Sequence, residues 1–97
     1  MRRAAKRDAT HKSIGDYLRG LGWSVLDLAD HGDGVPDYAV GRPGFAALVE
    51  CKPEGPPSAR KLTEKEQKVR DRWEGPYVIA QSGEEAAAQL VMLWKGW

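Results

Sequence analysis

The stretch from Val35 to Lys52, VPDYAVGRPGFAALVECK, limits the folds open to this chain more than any other. Two short apolar runs flank Gly41-Arg42-Pro43-Gly44. Proline presets one turn dihedral and glycine supplies the left-handed conformation that a chain reversal needs. The pattern therefore predicts an antiparallel hairpin, with strands over 37–41 and 45–52. Side chains alternate faces along a strand. Glu50 and Lys52 then share one face, while Ala47, Val49 and Cys51 take the other. Antiparallel pairing brings Asp37, at the head of the first strand, to the far end of the second, beside Glu50, Lys52 and the carbonyl of Cys51. Two carboxylates and an ammonium on one sheet edge are costly to gather unless a cation joins them.

The rest of the chain supplies elements to support that hairpin. At 97 residues it makes one domain, 1–97, and a chain of this size buries roughly two-thirds of its unfolded surface, enough for one modest core. Thr10 is placed to cap a helix, and Ile14, Tyr17, Leu18 and Leu21 repeat at the spacing of a buried helical stripe. Gly20 and Gly22 end it. A first strand is expected over 23–28, central and largely buried, and residues 29–35 form a Gly-rich loop. After a Pro-rich loop, Thr63-x-x-Glu66 reads as a capping box, opening a helix to about residue 73. Gly75-Pro76 breaks it, and a strand follows over 77–81. Ser82-x-x-Glu85 reads as a second box and opens a helix to about residue 93, leaving an aromatic tail over 94–97. The order α-β-β-β-α-β-α describes an α/β fold with a mixed sheet flanked by helices.

The net charge of +1 does not announce a polyanionic partner. Its distribution is more informative. Arg2, Arg3, Lys6, Arg7, Lys12 and Arg19 crowd the first fifth of the chain; the first four lie in a basic arm over 1–9 that leads into the first helix. Arg60, Lys61, Lys65, Lys68, Arg70 and Arg72 crowd a later segment. Such clusters can follow phosphates or simply be solvated. A single cysteine excludes an internal disulfide and suits a reducing cytoplasm. No apolar run approaches the ~20 residues of a membrane span, and no signal peptide is expected.

Pro36-Asp37 followed by Glu50-Cys51-Lys52 resembles the motif of the PD-(D/E)XK nuclease superfamily. Its flanks extend the likeness. The lead-in HGDGVPD resembles that of the VRR-NUC and archaeal-type Holliday-junction resolvase branches, which include small phage-type nucleases of about this length. Leu62-Thr63-Glu64-Lys65-Glu66-Gln67 resembles their L-T-x-x-Q helix start. Gly75 to Ala80, then Ser82 to Ala86, resembles their last strand and closing helix.

The resemblance implies a restriction-endonuclease-like core and a Mg²⁺-dependent cut of DNA, with Mn²⁺ as a substitute. It implies that Asp37, Glu50 and the Cys51 carbonyl hold the metal, an oxygen set of the kind Mg²⁺ prefers. Lys52 would stabilise charge at the phosphate, and Gln67 would either face the site or be an exposed polar residue of its helix. The products would carry 5′-phosphate and 3′-hydroxyl ends. Where the family often has a glutamate on the first helix, this chain has His11, with Asp8 three residues earlier. His11 then either orients water or phosphate or lies on the surface. The expected substrate is a four-way DNA junction cut by a homodimer, with no membrane involved. A flap- or nick-processing nuclease and a non-catalytic DNA-binding module are the alternatives. The tryptophans divide between the core, Trp23 and Trp73, and a tail, Trp94 and Trp97, packed on a neighbour; stacking on unpaired bases is their other reading.

Overall fold

A computed structural model describes residues 9–96. The basic residues Arg2, Arg3, Lys6 and Arg7, with Asp8 and Trp97, lie outside the described residues. The elements are α1 (Ala9–Gly20), β1 (Ser24–Asp27), β2 (Tyr38–Arg42), β3 (Phe45–Cys51), a 3₁₀ turn (Pro57–Arg60), α2 (Glu64–Arg72), β4 (Tyr77–Ala80) and α3 (Gly83–Trp94). This is the expected α/β order. The four strands lie in the sequence β1-β2-β3-β4, antiparallel except for the parallel pair β3/β4. A parallel neighbour requires a crossover, and α2 lies on that connection.

The hairpin forms as the sequence requires, with its first strand one residue later than expected. Arg42 pairs Phe45, leaving Pro43-Gly44 as the turn, with Gly44 at φ +76°. Proline followed by a left-handed glycine is the type II signature.

The core lies between the sheet and the pair α1/α3. Ile14, Leu18, Val49, Val78 and Leu90 are fully buried there, and Trp23 and Tyr38 nearly so. The inward stripe of α1 is His11, Ile14, Gly15 and Leu18. Tyr17 and Leu21, expected on that stripe, are 40% and 47% exposed. The helix is thus rotated so that Tyr17 meets α3 at the edge of the core, against Gly83. Thr10 falls inside α1 and does not cap it.

Three further expectations are corrected. β1 is an edge strand rather than a central one, and Leu26 is 66% exposed. Its inward side chain, Val25, packs on the core, while Leu26 lies on the sheet's other face. Trp73 is also outside the core, 42% exposed: it closes the end of α2, where its indole N–H donates to the Pro76 carbonyl at 2.9 Å. Trp94 continues α3 instead of starting a tail, and its ring stands edge-on to Trp23 at 5.8 Å. Arg42 lies over both indoles, 4.3 and 4.9 Å from their centroids, and locks the turn end of the hairpin to α3.

Candidate active site

At the opposite end of the hairpin, backbone pairing between β2 and β3 stops at Tyr38 and Val49. The next rung of the ladder is made by a side chain. Asp37 Oδ2 accepts the Cys51 backbone N–H at 2.8 Å. Pro36, just before it, is fully buried, and the Asp37 carbonyl accepts the Leu28 N–H at 2.7 Å. The carboxylate is therefore held through backbone on both sides.

Its second oxygen faces α1, with His11 Nδ1 3.5 Å from Asp37 Oδ1. His11 is buried at 6% exposure. Tyr38 fixes it twice, by an edge-on ring contact at 4.9 Å and by donating its hydroxyl to the His11 carbonyl at 3.1 Å. The surface reading of His11 is thereby excluded.

Glu50 and Lys52 project from one face of β3, as the alternation demands. Glu50 is 5% exposed, and Lys52 Nζ lies 3.7 Å from its Oε2. The lysine's shorter contact is to α2: Nζ donates to Glu66 Oε1 at 2.8 Å. The same oxygen accepts the Thr63 N–H at 2.8 Å, while Thr63 Oγ1 accepts the Glu66 N–H at 3.2 Å. The capping box thus does two jobs. It starts α2, and it turns Glu66 back toward the sheet.

Three carboxylates, Asp37, Glu50 and Glu66, converge on one ammonium and one imidazole. Burial pushes the Glu50 carboxyl up to about 9, and the charges of Asp37 and Glu66 push the same way. Burial also raises Asp37, partly offset by the Cys51 N–H and by His11. Burial acts to raise Glu66 too, but the bonds from Lys52 and the Thr63 N–H prevail and hold it below the usual carboxylate range. For Lys52, burial opposes the charged form, yet the bond to Glu66 and the surrounding carboxylates carry it above its ordinary value. Among the described residues the centre is rich in oxygen donors and short of positive charge.

Asp37, Glu50, Lys52, His11 and the Cys51 backbone are brought together. The Cys51 side chain packs against the core on the opposite face. Gln67 does not join them: it is exposed, and its amide donates to Asp71 Oδ1 at 2.8 Å, one turn along α2. The box sets the phase of the helix, and one residue onward rotates a side chain by about 100°. Glu66 takes the position expected of Gln67. Its signal was present in the sequence as the fourth residue of Thr63-x-x-Glu66.

The donor chemistry fits a hard divalent cation. Mg²⁺ is commonly held by one or two carboxylates, with waters and substrate phosphate completing the shell. Asp37, Glu50 and the Cys51 carbonyl supply such a set, and burial together with the neighbouring carboxylates disfavours the charged form of Glu50, a cost that a bound cation would relieve. Among the described residues no three His, Cys, Asp or Glu side chains form a metal cage by themselves. Comparison with protein-family models, curated proteins and solved structures returned no match.

Proposed function

We propose that the chain is a metal-dependent DNA endonuclease of the PD-(D/E)XK kind, acting on branched DNA as a Holliday-junction resolvase does. One observation carries the reading: Asp37, Glu50 and Lys52 meet at the end of a hairpin, around the Cys51 backbone. Mg²⁺, or Mn²⁺ in its place, would be held by Asp37, Glu50 and the Cys51 carbonyl. When bound it supplies Lewis-acid polarisation of the phosphodiester and a more acidic water.

The chain's own residues do the rest. The Cys51 N–H fixes one oxygen of Asp37 and leaves the other directed toward His11. Glu66 holds the Lys52 ammonium beside Glu50, where it meets negative charge growing on the phosphate. His11 orients Asp37. Water oxygen adds to phosphorus in line, the bond to the 3′ oxygen breaks, and 5′-phosphate and 3′-hydroxyl ends result.

Each chain carries one such centre, so paired cuts across a four-way junction need two copies. A C2 dimer matches the symmetry of that substrate. Val91, Met92 and Leu93 on α3 are 39%, 59% and 43% exposed and offer apolar surface for a second copy. Among the described residues no helix is long and apolar enough to cross a membrane. The reading places the protein with DNA in a reducing cytoplasm.

The test is cleavage of labelled four-way junction, flap, nicked and linear duplex DNA with Mg²⁺, with Asp37→Asn alongside. The asparagine retains an oxygen for the Cys51 N–H, so the fold should persist. The expected result is symmetric paired nicking of the junction, reduced to background in the variant while DNA binding stays within about twofold. Cutting concentrated on flaps or nicks would reassign the substrate. Full activity of Asp37→Asn would remove the proposed centre.

A further inference from the structure

A groove among the described residues adjoins two elements of the carboxylate centre. It has a volume of about 550 Å³ and lies between one flank of α2 and the Gly-rich loop, lined by Asp33, Lys65, Lys68, Val69, Asp71 and Arg72. Its two walls come from elements that also build the centre. The loop leads into Asp37, and α2 carries Glu66.

The helical wall is cationic in a particular way. Lys65, Lys68 and Arg72 stand at i, i+3 and i+7, on one face of the helix. Seven residues of helix advance ~10 Å, about three nucleotides at ~3.4 Å per strand. A row of cations with that reach matches the spacing of successive phosphates along one strand better than a single compact anion, and Asp71, the acid on the same wall, is bonded to the Gln67 amide. Val69 forms the apolar part of the lining.

The loop wall is built at a conformational cost. Gly32, Asp33 and Gly34 take φ values of +77°, +59° and +82° in succession. Asp33 is the only described residue other than glycine with positive φ. Gly34 packs so closely on α2 that a Cβ there would collide with the Lys65 carbonyl. This tight seat presents Asp33 at the groove, with Oδ1 3.9 Å from Lys65 Nζ. Both side chains remain largely solvent-exposed, at 82% and 75%. Lys68 is likewise 3.9 Å from Glu64 Oε2. Such long, exposed pairs contribute little and exchange readily.

We infer that this groove binds the phosphodiester backbone of a nucleic-acid strand through Lys65, Lys68 and Arg72, with Asp33 as a counter-ion that the strand displaces from Lys65. The inference deepens the nuclease reading, since it names the surface that would lead a strand to the centre.

The experiment is fluorescence-anisotropy binding of a labelled duplex and of its single strand in EDTA, from about 50 to 200 mM salt. Lys65→Ala combined with Arg72→Ala is expected to weaken binding about tenfold at the lower salt. It should also flatten the log Kd against log salt slope by about two, near one for each phosphate no longer neutralised. Asp33→Asn is expected to tighten binding about threefold. Lys95→Ala is the charge control. It sits beside Trp94, with the turn end of the hairpin, away from the end that the groove adjoins. Circular dichroism checks that each variant folds.

Wild-type affinity and slope in the double variant would overturn the inference. So would an equal loss in Lys95→Ala, which would mean unselective charge. Cleavage with Mg²⁺ is measured separately on the same DNA. Cutting that persists while groove variants bind normally overturns the groove alone. Groove variants that lose binding in a chain that cuts nothing overturn the nuclease and leave the groove standing.

Discussion

Glu66 shows how one side chain can serve two masters. Its carboxylate accepts from the Thr63 N–H and from Lys52. A substitution can separate these roles. In Glu66→Gln the amide oxygen can still complete the box, because glutamine serves at that position. The charge that holds Lys52 is gone. Cleavage should fall at least tenfold while thermal stability changes little. Glu66→Ala should lose both, with a stability cost of about 1 kcal/mol, in the range of a lost cap. Parallel Tm and cleavage measurements on the two variants check this. Equal activity in wild type and Glu66→Gln would reduce Glu66 to a capping residue. Asp37, Glu50 and Lys52 were legible in the sequence because strand period is rigid, and two residues apart always means the same face. Gln67 could not be assigned because a helix turns about 100° per residue, so its phase must be known before any one side chain can be placed in a site. The box supplies that phase.

At the scale of elements, the two boxes look alike in sequence but differ in execution. Thr63 and Glu66 bond reciprocally. Ser82 Oγ accepts the Glu85 N–H, but Glu85 reaches past Ser82 to the Gln81 N–H at 2.8 Å. Glu85 is drawn there by Arg60, a partner distant in sequence, which no local pattern reveals. The edge position of β1 was hidden for a similar reason. Val25 and Leu26 favour a strand, but strand order is decided by what lies on either side. Tyr17 sits in the expected helix yet misses the buried stripe, because it packs on a glycine instead of entering the core. That packing makes a prediction. A Cβ on Gly83 would lie 2.5 Å from the Tyr17 Cβ, and both are anchored in helices. Gly83→Ala should therefore cost about 1–3 kcal/mol through overpacking. In a domain of this size each 1 kcal/mol lowers Tm by roughly 4–8 °C. Gly83→Ala combined with Tyr17→Gly, which removes the colliding Cβ and ring, should cost less than the two single changes added together. An unchanged Tm in the single variant would mean that the helices can part freely.

For the molecule as a whole, the long connection between β3 and α2 must be held down without a helix of its own beyond the short 3₁₀ turn. Arg60 does this. Its guanidinium bonds the Gln81 side chain at 2.6 Å, the Ile79 carbonyl at 2.9 Å and Glu85. Gln81 then donates to the Pro53 carbonyl at 3.0 Å. Glu85 is held below the ordinary glutamate value chiefly by the bond from Arg60, so its contribution is present above the unfolded value near 4.5. The contribution is lost as pH falls through the folded value. Urea midpoints measured from pH 7 down to pH 3 should fall less steeply in Glu85→Gln than in wild type over the lower part of that range. Identical slopes would mean that the link contributes nothing to global stability.

The bond from the Cys51 amide to Asp37 has a consequence for inheritance. One partner is main chain, so no change of base at codon 51 can remove the donor short of proline. Length is the vulnerable quantity. An in-frame codon gained at the Pro43-Gly44 turn can be looped out, with the paired strands left in place. The same codon gained between Phe45 and Val49 would shift the alternation by one, sending Glu50 toward the core and Cys51 toward the carboxylates. Descendants of this gene can be expected to drift in the length of that turn while keeping the spacing along β3.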